Sequence, residues 1–206
     1  MNLLFIVLMG AVAVSGFFDL IPWKFNVPAL IILFIVWIIA VYNSLVTFRN
    51  RVKEAWSDID VQMKRRFDLI PNLINTVKGS TNFETTTLEK VITARTAGMG
   101  AKTTTEVGQA DMQMRGALSG FFALAESYPD LKSNQNFIEL QKELSDTENK
   151  IQAARRFYNS VVNDYNTTLE AFPTNMFGKM FSFVPSELFE LEAGEEAARK
   201  PVEVKF

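Results

Sequence analysis

The chain is predicted to be all-α, with an N-terminal membrane helix or helical hairpin followed by an antiparallel bundle of about four helices, two of them long. Three observations predict this. No charged side chain occurs from Phe25 to Phe48, and about 20 apolar residues match the roughly 30 Å hydrocarbon core at about 1.5 Å rise per residue. Beyond that run the apolar positions recur at steps of three and four, the period of a helix with one buried face. No strand-like alternation appears in this region. The expected organisation is an apolar N-terminal segment (1–24), a transmembrane helix (27–48), a bundle (49–183) and an acidic tail (184–206).

The first apolar run, Met1 to Phe18, ends at Asp19 and Pro22. It reads as a short first membrane helix, a re-entrant segment or a signal peptide. The last lacks a basic n-region, and the small-x-small step Ala13-Val-Ser15 is weak support for cleavage. Orientation follows from basic residues beside the second run. Lys24 alone precedes it, whereas Arg49, Arg51, Lys53, Lys64, Arg65 and Arg66 follow it. The bundle is therefore expected in the cytoplasm. Trp23 beside Lys24 suits one interface, and Arg49, Arg51 and Lys53 suit anionic headgroups at the other.

No turn signal separates the span from the charged text that follows, so the membrane helix is expected to continue as the first bundle helix. Its stripe runs Val52, Trp56, Ile59, Met63, Phe67, Ile70, Ile74 and Val77. Pro71 is expected to kink or restart it, because proline lacks the N–H that bonds back one turn. Gly79 should stop it. Thr81 with Glu84, and Thr103 with Glu106, each fit a capping box. The first opens a short helix that Gly98, Met99 and Gly100 should break. The second opens a helix through Val107, Ala110, Met114, Ala117, Phe121, Ala125 and Tyr128, closed by Pro129. In the last helix Phe137, Leu140, Leu144, Thr147, Ile151, Ala154, Tyr158, Val161, Tyr165, Thr168 and Phe172 hold a three-four alternation up to Pro173. So regular a repeat packs either within the chain or as a seam between chains.

The composition excludes more than it includes. The chain has no cysteine and no histidine, which removes disulfides, thiol chemistry, His–Cys zinc sites and imidazole proton transfer together. No constellation of carboxylates with Lys, Tyr, Ser or Thr stands out, so no catalytic residue, metal or cofactor is expected. The formal charge of −2 gives no reason to expect nucleic acid. The acidic tail, with Glu187, Glu190, Glu192, Glu195, Glu196 and Glu203, reads as solvated chain, less often as a docking peptide.

Three clusters bear on binding. Lys64, Arg65 and Arg66 beside Asp60 and Asp68 read as a surface ion-pair lattice, since the cluster lies about 24 Å beyond Phe48 and a Debye length is near 8 Å. Asn159, Asn163 and Asn166 share a face of the last helix and are expected to fix register or contact water. Met176, Phe177, Met180, Phe181 and Phe183 form a dense apolar patch. It either packs at the bundle end or rests in the headgroup region, with Lys179 reaching phosphates.

The segments RNRVKEAWSDIDVQMKRRFDLIPNLINTVKG (49–79), ESYPDLKSNQNFIELQKELSDTENKIQAARRFYNSVVNDYN (126–166) and FPTNMFGKMFSF (172–183), with Tyr42-Asn43, Glu84, Leu88 and Ala94-Arg95, resemble the LemA family. The matching positions include Asn43, Asp60, Arg65, Arg66, Asp68, Pro71, Asn72, Asn149, Arg155, Arg156, Asn159, Asn166 and Pro173. The resemblance implies a membrane anchor, a cytoplasmic helical bundle and no established catalytic activity. The extra apolar run Met1 to Ile21 departs from the single span usual in the family. The genes of the family often neighbour membrane zinc metallopeptidases or TPM-domain proteins, a hint about partners.

The function expected from these readings is a non-enzymatic scaffold at the bacterial inner membrane. It contacts membrane lipid and self-associates into a homo-oligomer that shapes the membrane. The alternative is a monomeric adaptor that docks another membrane protein, such as a metallopeptidase or TPM-domain protein.

Overall fold

The computed structural model describes residues 22–78 and 84–189, with helical positions 7, 10–12 and 14 before them. The expectations for the remaining N-terminal residues, Gly79, Thr81 and the tail beyond Phe189 lie outside the described residues, as does the Trp23 side chain. Among the described residues every regular element is helical. The elements are α1 (Trp23–Lys78), α2 (Thr85–Gly100), α3 (Thr104–Ala125), α4 (Pro129–Lys132), α5 (Gln135–Glu170) and α6 (Thr174–Met180). Helix α1 has 56 residues and α5 has 36, so the two long helices stand as predicted.

Local chemistry explains most boundaries. Thr103 accepts from the Glu106 N–H at 3.2 Å while Glu106 accepts from the Thr103 N–H at 3.1 Å, the reciprocal capping box expected at α3. Helix α2 differs, starting at Thr85 with Glu84 at its N-cap and no side-chain cap bond. It also runs through Gly98 and Met99 to Gly100. A Cβ at position 98 would overlap the Phe67 ring, so Gly98 serves close approach to α1 within the helix. Helix α1 continues through Pro71 without the restart that was one of the two expectations there.

The chain divides into two compact units. The first is Met1–Arg51 with Asp164–Ser186. There Val41 and Leu45 of α1 are buried, together with Tyr165, Leu169 and Phe183. Beyond α6, Ser182 adopts φ 57. Its N–H donates to the Lys179 carbonyl at 3.2 Å and that of Phe183 to the Gly178 carbonyl at 2.9 Å. This is a Schellman closure with serine in the place glycine usually takes.

The second unit is Val52–Asn163 with Glu187–Phe206. The α1 segment and α5 run antiparallel here, with Trp56 edge-on to Tyr158 and Arg65 paired with Glu143. Helices α2 and α3 pack on each other, and Phe121 and Phe122 of α3 meet Phe137 of α5. Val52, Ile59, Met63, Ile70, Leu73 and Val77 form the buried stripe of α1, each contributing about 1.5–3 kcal/mol by leaving water.

The α5 stripe departs from the expected alternation. Its early positions hold, but burial then passes to Arg155, Val162 and Leu169, where Ala154, Val161 and Thr168 were expected. An ideal helix drifts about 20° per heptad against a strict 3.5-residue repeat, about 60° over three heptads, which turns the buried face toward Arg155, Val162 and Leu169 while Ile151, Tyr158 and Tyr165 stay inside. Phe172, the last residue of the expected stripe, is 79% exposed.

Candidate functional site

Helix periodicity brings five charged side chains together inside the second unit. Arg66 falls on the stripe seven residues from Ile59 and from Leu73, and Asp111 lies between Val107 and Met114. Arg66 donates to Asp111 at 2.6 Å and to Glu148 at 2.7 Å. Arg115 reaches Asp111 at 3.1 Å and Glu148 at 3.7 Å, and Arg155 reaches Asp111 at 3.5 Å. Arg66 and Asp111 are fully buried. Such a cluster is stable only because each buried charge has partners; removing one strands the others.

Chemically this cluster is a lock. Asp111 is shared among three guanidiniums, which occupy three of the roughly four acceptor sites of its carboxylate and hold it in a structural role. Among the described residues no group of three or more carboxylates could hold a metal ion. The expected surface lattice is therefore corrected: Arg66 pairs away from Asp60 and Asp68, into the core, and Arg65 pairs with Glu143 on α5 at 2.6 Å. Lys64, Asp60 and Asp68 remain exposed.

The second constellation grips the chain after α6. In the first unit Tyr165 donates to the Val184 carbonyl at 3.0 Å, and the Asn166 amide both donates to and accepts from Ser186 at 2.9 Å. In the second unit Tyr158 donates to the Glu187 carbonyl at 2.9 Å. Asn159 exchanges bonds of 3.0 and 2.8 Å with Phe189. The Tyr-Asn pair thus recurs after seven helical residues, about 10.5 Å. Its backbone targets recur after three extended residues, about 10 Å. Burial and the nearby Glu187 charge push the Tyr158 phenol above its usual range, keeping it a donor. Asn159 and Asn166 fix register, as expected of them, but on an extended segment; Asn163 is exposed. Residues 184–189, read as solvated tail, are held by both clamps, and Phe189 is buried beneath Trp56 and the Arg155 guanidinium.

The third constellation is the apolar surface of the first unit. Ile31, Ile32, Phe34, Ile35, Val36 and Ile39 of α1 are exposed. Phe177 packs edge-on against Trp37 at 5.1 Å, and Phe181 does the same with Tyr42. Arg49 lies over the Phe183 ring at 5.1 Å and Arg51 over Phe48 at 5.9 Å. Lys24 sits over Phe25 and Lys179 is exposed; Lys53, at the start of the second unit, is exposed as well.

Of the positions singled out by resemblance, Arg66, Arg155, Asn159 and Asn166 enter the two networks above. Asn43 and Asn72 offer their carbonyls to Thr47 and Thr76 one turn on. Asn149 and Arg156 are exposed, and Pro173 stands at the N-cap of α6. Sequence reasoning missed Asp111, Glu148 and Phe189. The available signal was a charge falling on an apolar stripe, which holds for Asp111 in α3.

Among the described residues one helix, within α1, is long and apolar enough to cross a membrane. The chain matches the model of the LemA family over residues 55–206. It is 29% identical over 153 residues to Protein LemA of Metamycoplasma hominis, covering 72% of this chain and 68% of that one. It is 23% identical over 186 residues to each of two relatives from Paramagnetospirillum magneticum, Magnetosome protein MamQ 1 and Magnetosome protein MamQ 2, covering 78% of this chain and 68% of each. Apolar helix and relatives together describe a membrane-associated helical protein, and the chain belongs to the LemA family.

Proposed function

We propose that this chain is a membrane-anchored, non-enzymatic scaffold that self-associates through its helices into a homo-oligomer at the bacterial inner membrane. The bundle faces the cytoplasm, and the assembly shapes the membrane it stands on. One observation carries the reading: the same helix, α1, holds both the uncharged run Phe25–Phe48 and the bundle stripe Val52–Val77. Through it, force or order in an assembly of bundles passes into the anchor. Arg49, Arg51 and Lys53 follow the run directly and suit anionic headgroups on the cytoplasmic side. Trp23 and Lys24 suit the opposite interface. The polar interior supports a structural role, because its charges are spent on one another.

The test is the mass of the full chain in mild detergent by light scattering. A uniform particle of many copies is expected. A strictly monomeric particle overturns self-association and leaves the monomeric adaptor for a metallopeptidase or TPM-domain protein as the working reading.

A further inference from the structure

We infer that the corner formed by Phe172, α6 and the turn to Val184 is embedded among lipid acyl chains, as a wedge confined to the leaflet nearer the bundle. The inference rests on α1 being the membrane span and assigns a lipid surface to a part of the chain outside that span. The first observation is depth. Phe177 touches Trp37, which precedes Arg49 by 12 residues, or about 18 Å of helix. Half of a hydrocarbon core is about 15 Å. With Arg49 at the headgroups, Phe177 therefore lies near the middle of the bilayer, Phe181 beside Tyr42 lies shallower, and Phe183 beneath Arg49 lies at the surface.

The alternative is to stop the bilayer short of Trp37 and leave the corner in water. That shortens the uncharged run to about 12 residues, roughly 18 Å, well below the thickness to be crossed. It would also leave in water Phe172 at 79%, Met176 at 61%, Met180 at 60% and Val184 at 71% exposure. The corner and the span each expose large apolar side chains, and a single solvent suits both. Lys179 is exposed within the wedge; its long stem reaches toward anionic headgroups while its methylenes stay among the chains.

The chain contains no cysteine, so single cysteines report without background. Ile32→Cys, Met176→Cys and Lys102→Cys are labelled with an environment-sensitive fluorophore and reconstituted in phosphatidylethanolamine–phosphatidylglycerol vesicles. Each is read against chain-labelled nitroxide lipids and against aqueous iodide. Loss of emission to the nitroxide lipid at both Ile32→Cys and Met176→Cys, with iodide acting only on Lys102→Cys, is the expected result. Lipid quenching at Ile32→Cys with iodide quenching at Met176→Cys overturns the wedge while leaving the span intact. A Met176→Cys label shielded from both quenchers also overturns it, since the corner would then be packed on protein, such as a second copy. Absence of lipid quenching at Ile32→Cys overturns the span itself.

Discussion

Arg95 donates from Nε to the carbonyl of Phe67 at 2.8 Å, and Phe67 is the residue whose carbonyl Pro71, having no N–H, cannot bond. A proline inside a helix leaves the carbonyl four residues earlier without its partner. Here a guanidinium from α2 supplies the missing donor, and α1 continues to Lys78. The same Phe67 presents its ring to Gly98, one turn along α2. Backbone and side chain of one residue thus receive one face of α2.

Arg95→Met is expected to destabilise the bundle by about 1–3 kcal/mol, the usual range for a buried group left without its hydrogen bond. Pro71→Ala restores an N–H that can serve the Phe67 carbonyl. In that background the cost of Arg95→Met should fall markedly, as a double-mutant cycle in denaturant would show. An unchanged cost would mean that Arg95 acts through something other than this carbonyl.

Gly98→Ala should destabilise by about 1–3 kcal/mol through overpacking against the Phe67 ring, although alanine is the better helix former. Phe67→Leu should lessen the penalty. Thermal unfolding of both single variants and the double variant checks this; a stabilised Gly98→Ala protein would show that the ring moves aside freely.

Asp111→Ala should cost about 3–5 kcal/mol, because Arg66 and Arg155 would remain buried with one partner fewer. By contrast, Lys150→Ala removes an exposed pair with Asp146 of 2.8 Å and should cost less than about 1 kcal/mol. Similar losses in chemical denaturation would show that the buried cluster is not the lock described above.

Asn159→Ala and Asn166→Ala each remove two bonds to the extended segment, and limited proteolysis should then cut within 184–189. Asn163→Ala, at an exposed position on the same helix, should leave the pattern of the parent chain. Equal susceptibility in all three would argue against the clamps.

Hydrogen bonds from the Lys102 and Thr103 backbone, in that order, hold the Glu106 carboxyl below its ordinary value of 4.5. A carboxylate with a depressed folded value stabilises the fold above its unfolded value and loses that contribution as pH falls through the folded value. Glu106→Gln should therefore lower the melting temperature at pH 7, with the gap closing as pH drops below 4.5. A gap that persists in acid would place the effect in packing.

Helix class, both long helices and the Thr103 cap were legible because periodicity and capping are local. That α1 runs on past Pro71 was not legible, because Arg95, which serves the orphaned carbonyl, lies 24 residues away in another helix. The helix ends at Gly100, within the expected Gly98–Gly100 break, but the close approach that Gly98 serves is not legible until the facing ring is known. Arg66 carried a readable signal, seven residues from Ile59 and Leu73, but its proximity to Asp60 and Asp68 suggested a nearer partner. The clamps could not be foreseen, since Tyr158, Asn159, Tyr165 and Asn166 bind backbone, and backbone acceptors leave no mark in the sequence.

The most direct measurement of the central claim is orientation in the native membrane. Gly100→Cys in the full chain is exposed to a membrane-impermeant maleimide, first in intact spheroplasts and then in inverted vesicles. Labelling confined to inverted vesicles is expected of a bundle held in the cytoplasm by α1. Labelling of intact spheroplasts, or recovery of the chain in the soluble fraction, would contradict it.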